Sequence, residues 1–222
     1  MSSVLIALAL LQAAVKEPTP KEIGEKAIEK TRGEASYHAT FKITIDTFVA
    51  EGEIVWVKEG VLYIDERVTG LPGGRRIVRV GDEVFSHDDL RGWETAAEAG
   101  LDREAKGAKH PDLLLAALSK RLAGAKSKKG GVDVTLGEDD LKAILKELGE
   151  SGVEEKEASA SLDIDGQGRI SKVSVAAGKK FSADVTVASY NQVRALAFTL
   201  KAQAVPLDDA ILKKIKAIEA KK

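Results

Sequence analysis

The chain has 222 residues, 44% of them hydrophobic and 31% charged, the balance of a folded protein with its own core and not of a disordered or fibrous one. Thirty-four Lys and Arg against 35 Asp and Glu leave a formal charge of −1, which gives no electrostatic basis for binding nucleic acid. With no cysteine, disulfides, zinc–thiolate and iron–sulfur sites, thiol nucleophiles and lipid attachment at an N-terminal cysteine are excluded.

Residues Val4 to Leu11 form an unbroken apolar run, VLIALALL, too short to span a bilayer but of the length of a signal-peptide hydrophobic region. Ala13 and Ala14 are small enough for cleavage, although no Lys or Arg precedes the run and Leu11 and Gln12 suit the cleavage consensus poorly. A retained, packed N-terminal helix is the alternative. Export is favoured because nothing after Ala14 continues the apolar pattern in register. This reading divides the chain into a signal peptide, residues 1–14, and one domain, residues 15–222, located in the periplasm or secreted.

Thr19-Pro20-Lys21-Glu22 predicts a helix start, with Thr19 as N-cap, Pro20 at the first helical position and Glu22 placed for a capping box. Ile23, Ala27 and Ile28 form a narrow apolar stripe, and Arg32-Gly33 ends it. From Tyr37 the period becomes two, with Tyr37, Ala39, Phe41, Ile43 and Ile45 alternating with polar neighbours. Further strands are predicted over Glu53–Lys58, Val61–Val68, Arg75–Val80 and Glu83–His87, joined by turn residues, which makes the first half a β-meander.

The charged segment Asp88 to Lys109 shows no stable period and reads as a long loop carrying Trp93. Two helices follow, from Pro111 with Leu114, Leu115, Leu118 and Leu122, and from Asp139 with Leu141, Ile144, Leu145 and Leu148, separated by a short strand at Val132, Val134 and Leu136. The sheet resumes at Ala158, Ala160, Leu162 and Ile164, turns at Asp165-Gly166-Gln167-Gly168, and continues with Arg169–Val175, Phe181–Tyr190 and Ala195–Lys201. After Pro206 the period is helical again. The lysines of this last helix complement its dipole, and its short length and lack of an aromatic anchor weigh against a membrane-surface helix. Short connections and the absence of recurring β-helix-β units predict an α+β fold: one antiparallel sheet of about nine or ten strands, curled into a half-barrel, with helices on its concave face.

Catalytic and metal chemistry find little support. Counted from Asp163, the calcium-loop pattern has Ser174 where a bidentate acid is required, so Asp163 to Gly168 reads as a hairpin turn. His87-Asp88-Asp89 groups acid/base side chains but reads as a solvated loop start, and neither a nucleophile elbow nor a phosphate-binding loop is present. No catalytic residue, metal or cofactor is assigned. The small residues of the late strands, Ala158, Ala160, Ala183, Ala195 and Ala197, imply either close helix packing or space for an apolar ligand.

Three stretches, RIVRVGDEVFSHDDLRGWE (Arg76 to Glu94), HPDLLLAALSKRL (His110 to Leu122) and SLDIDGQGRISKVSV (Ser161 to Val175), together with the order of elements, resemble the periplasmic lipoprotein carrier (LolA-like) fold and the mycobacterial lipid carriers of the LprG and LppX type. The resemblance implies an open half-barrel with a hydrophobic cavity and no catalytic set. It departs from the mycobacterial carriers in lacking the acylated cysteine. The implied function is non-catalytic carriage of a lipid or lipoprotein acyl chain in the cell envelope by a monomer without a transmembrane segment. The alternative is an envelope interaction or assembly module with a filled core, binding a protein through a strand edge or the Asp88 to Lys109 loop. Alternation assigns Phe41, Ile43, Trp56, Leu62, Ile64 and Phe85 to the cavity, with Leu114, Leu118 and Leu145 of the helices and Ala160 and Ala183 of the late strands.

Overall fold

A computed structural model describes residues 17–58, 60–70, 73–88, 92–95, 97–98, 112–148, 157–192 and 209–219. The helices are α1 (Pro20–Gly33), α2 (Asp112–Ser119), α3 (Glu138–Leu148) and α4 (Asp209–Glu219). The strands are β1 (Ser36–Ile45), β2 (Phe48–Val57), β3 (Val61–Val68), β4 (Arg75–Val80), β5 (Glu83–Asp88), β6 (Gly92–Thr95), β7 (Lys126–Lys128), β8 (Gly131–Gly137), β9 (Glu157–Ile164), β10 (Ile170–Ala177) and β11 (Phe181–Tyr190).

All eleven strands belong to one open antiparallel sheet in the order β6-β5-β4-β3-β2-β1-β11-β10-β9-β8-β7. Two meanders, β1 to β6 and β7 to β11, therefore meet where β1 pairs with β11, Ile43 opposite Ala183 and Phe41 opposite Val185. Twist of roughly 20° per strand accumulates across so wide a sheet, which coils it. The fold is the expected α+β sheet with two strands more than the sequence reading resolves. These are β6 and β7, the two edges, of four and three residues, too short to show alternation. Strand β2 starts at Phe48 instead of Glu53, because Phe48-Val49-Ala50 breaks the alternation and Gly52 reads as a breaker. Residues 1–16, the proposed signal included, and the expected strand Ala195–Lys201 lie outside the described residues.

Cross-strand register defines two faces. On the front face, Val132, Val134 and Leu136 of β8 lie in line with Leu162, Ala160 and Ala158 of β9, and onward to Val173, Val175 and Ala177 of β10 and Phe181 and Ala183 of β11. Helices α1, α2 and α3 cover this end, and Leu118, Leu122, Leu141, Ile144, Leu162 and Phe181 are all at most 2% exposed. Helix α1 begins with the expected capping box: the Glu22 amide donates to Thr19 Oγ1 at 3.3 Å, and the Thr19 amide to Glu22 Oε2 at 2.7 Å. Its buried stripe is Gly24, Ala27, Ile28 and Thr31, and Gly24 lets the helix approach closely, since a β-carbon there would stand 3.0 Å from the Leu122 methyls.

Helix α4 departs from the expected arrangement. Ile211 and Ile215 pack with Val55, Val57, Val61, Tyr63, Val78, Val80 and Phe85, all back-face residues of β2 to β5. The helix sits on the opposite face from the other three because the back face of these strands, unlike that of β8 to β11, is itself apolar. Lys214 pairs with Glu83 and stands 5.6 Å from the Phe85 ring centroid.

Candidate functional site

The front face continues from β11 across β1, β2 and β3 as an apolar surface in ladder register. Its rows are Tyr190, Tyr37, Trp56 and Leu62; Val187, Ala39, Ile54, Ile64 and Ile77; Val185, Phe41 and Gly52; Ala183, Ile43, Ala50 and Val68; and Phe181, Ile45 and Phe48. Tyr37 stacks on Trp56, ring centroids 5.2 Å apart, and meets Tyr190 edge-on at 6.4 Å. Among the described residues, the cluster formed by Tyr37, Ala39, Trp56, Leu62 and Tyr190 draws its members from strands alone. Around these buried residues, Ile43, Ile54, Ile64, Val68, Val185 and Val187 are only half-buried. Strands lie about 4.8 Å apart and alternate residues about 6.8 Å, so the surface is roughly 15 Å wide and 27 Å long.

The eleven residues assigned from the sequence separate into three places. Phe41, Ile43, Trp56, Leu62 and Ile64 share this front-face surface, although Ile43 also packs at the margin of the helix-covered core. Ala160, Ala183, Leu118 and Leu145 lie in that core, in one buried cluster with residues of α1 to α3, Ala183 standing where the core meets the front-face rows. Phe85 is on the back face beneath α4, because β4 and β5 pair with Val78 opposite Phe85, and Val78 lies on the back face. Leu114 lies in α2, with its side chain outside the described residues. The structure thus places five of the proposed residues together and puts Phe85 on the other side of the sheet.

His87 is also placed differently from the solvated loop start expected of it. Strand β5 runs through Asp88 and pairs with β6, so that His87 stands opposite Trp93, is 7% exposed, and meets the indole edge-on at 5.2 Å. It extends a back-face row of Glu53, Asp65, Arg76 and His87. Arg76 Nε lies 3.4 Å from Asp65 Oδ2, and the Tyr63 hydroxyl donates to the same oxygen at 3.5 Å. Burial and then the Asp65 charge push the Tyr63 phenol up to about 12. A groove of about 410 Å³ opens on this row, lined by Thr40, Glu51, Glu53, Tyr63, Asp65 and Arg67 beside Phe41 and Gly52. Among the described residues no group of three or more His, Asp or Glu is arranged to hold a metal ion.

The Asp165 turn is structural. Asp165 Oδ1 accepts from the Gln167 and Arg169 amides at 2.8 and 2.9 Å, and Oδ2 accepts from Arg169 Nε at 2.8 Å. Burial opposes its charge, but the Arg169 and Gln167 hydrogen bonds and the guanidinium outweigh it and hold the carboxyl below its ordinary range. Arg169 also covers the Tyr190 ring at 4.3 Å. Sequence reasoning missed a reciprocal hydrogen-bonded pair, Thr95 and Glu98: Thr95 N–H and Oγ1 donate to Glu98 Oε2 at 2.9 and 2.7 Å, and the Glu98 amide donates back to Thr95 Oγ1. The pattern T-x-x-E was its signal.

No protein-family profile and no curated protein matches the chain. Among solved structures, it is similar to LprF from Mycobacterium bovis, at 12% identity and a TM-score of 0.49, covering 78% of this chain and 93% of that one. It is similar to the Mycobacterium tuberculosis lipoprotein LppX, at 14% identity and 0.48, covering 80% and 98%. It is also similar to an outer membrane lipoprotein-sorting protein domain from Vibrio parahaemolyticus, at 7% identity and 0.31, covering 90% and 97%.

Proposed function

We propose that the chain is a non-catalytic carrier of the cell envelope that takes a lipid or lipoprotein acyl chain against the front face of β11, β1, β2 and β3. The observation that carries this reading is the half-buried apolar surface around Ile43, Ile54, Ile64, Val185 and Val187, to which, among the described residues, strands alone contribute, beside a core that helices α1 to α3 cover. Such a surface gains free energy from any apolar occupant by area, at about 25 cal/mol per Å², without needing a specific polar contact. Export to the envelope by the N-terminal apolar run belongs to the same proposal. No helix among the described residues is long and apolar enough to cross a membrane.

The interaction-module alternative receives less support. Its strand-edge version needs a run of open backbone groups, whereas β6 and β7 offer four and three residues and β7 is Lys-Ser-Lys. Lipid extraction from protein purified out of its native envelope, followed by mass spectrometry, tests the carrier. A stoichiometric amphiphile that disappears when Ile54 and Ile64 are made polar is the expected result. Absence of any co-purifying lipid, together with failure to take up a fluorescent fatty acid, rejects it.

A further inference from the structure

Among the described residues, the large hydrophobic side chain left exposed is Phe48, at 63%. It opens β2 straight after the turn Asp46-Thr47, where Asp46 adopts φ 52°. The Asp46 amide donates to the Lys180 carbonyl at 2.6 Å, which fixes this turn beside the β10–β11 turn, Gly178, Lys179 and Lys180, all of them exposed. Phe48 closes the front-face row Phe181, Ile45, Phe48, so it stands at the end of the apolar surface, two strands and hence about 10 Å from β11. The Lys179 and Lys180 side chains form no ion pair among the described residues, and Asp46 is the one carboxylate of the two turns.

We infer that this end of the sheet docks on an anionic lipid surface, with Phe48 entering the headgroup layer and Lys179 and Lys180 facing its phosphates. An aromatic side chain at a turn can be buried there without moving the sheet. Paired cations within a Debye length of the surface add an attraction that salt weakens. The inference goes beyond lipid carriage, since it requires a membrane and no cargo, and it stands or fails separately.

The test is co-sedimentation of the full chain with vesicles of phosphatidylcholine alone and of phosphatidylcholine mixed with phosphatidylglycerol. The expected result is salt-sensitive binding to the mixed vesicles. Phe48→Ser should weaken it about tenfold, the loss of one buried aromatic side chain. Lys179→Gln with Lys180→Gln should remove the preference for phosphatidylglycerol. All three positions are exposed, so thermal melts should coincide with the parent. Because the chain has no cysteine, Phe48→Cys also gives a single labelling site, with Thr135→Cys on the back face as control. An environment-sensitive dye should shift to the blue with mixed vesicles at position 48 alone. Absence of binding, full binding by Phe48→Ser, or equal dye shifts at both positions overturns the proposal. So does a Phe48→Ser defect confined to capture of an acidic protein while vesicle binding persists.

Discussion

The backbone carbonyl of Asp65 occupies the space that a β-carbon on Gly52 would need. Gly52 lies mid-sheet, opposite Phe41 on β1 and Glu66 on β3, so the obstruction is backbone and no rotamer change relieves it. Gly52→Ala must therefore force β2 away from β3, at an expected cost of about 2 kcal/mol or more. Gly124→Ala, with nothing within 4 Å of its β-carbon, should leave stability nearly unchanged. Urea midpoints of the two variants check the contrast.

Ala160 and Ile54 separate packing from binding. Ala160 is 1% exposed and stands between Val134 and Val175 under the helices. Ala160→Leu should overpack that core, at about 1 to 3 kcal/mol, and leave lipid content per folded molecule unchanged. Ile54→Gln, on the half-buried surface, should shift the melting curve little and lower co-purifying lipid severalfold. If Ala160→Leu instead displaced lipid at little cost in stability, the ligand space would lie beneath the helices.

Much of this arrangement was legible because alternation survives where one face of a strand is wet. Strand β1 and the β8 and β9 alanine and valine positions were assigned correctly for that reason. Phe85 was misplaced because β3 to β5 carry apolar residues on both faces, as in Val61-Leu62-Tyr63 and Ile77-Val78, so alternation no longer distinguishes front from back. The pairing of β1 with β11 brings together residues far apart in the chain, and no local pattern encodes it. The apolar front-face surface depends on that pairing. Its component residues could be read from the sequence, but their union could not.

Asp165 makes stability depend on acid in a defined direction. Its folded-state affinity for a proton is lowered, so its stabilising contribution is complete above the unfolded carboxyl value, about 3.9, and fades as pH falls through the lower folded value. Asp184 acts in the same direction, mainly through the hydrogen bond from Ser174 Oγ at 2.5 Å. Asp165→Asn should be less stable than the parent at neutral pH, and the difference should shrink as pH drops below about 4. Parallel melts of parent and variant across that window measure it. A difference independent of pH would mean that turn geometry, not charge, is what the aspartate supplies.

His87 and Trp93 hold the outer edge of the sheet. They face one another across the β5–β6 pair, rings 5.2 Å apart and inclined at 60°, and β6 is only four residues long. An edge-on aromatic pair contributes about 0.5 to 1.5 kcal/mol beyond the area it buries, a large share of what retains so short a strand. His87→Ala should therefore act locally, accelerating hydrogen exchange at the β6 amides about tenfold or more, while amides of β1 and β11 exchange as before. His87→Phe, which restores a ring but no ionisable group, should return most of the protection. If alanine leaves β6 exchange unchanged, the ring pair is not what secures the edge. If phenylalanine fails where histidine succeeds, a hydrogen bond of the imidazole, and not its packing, holds the strand.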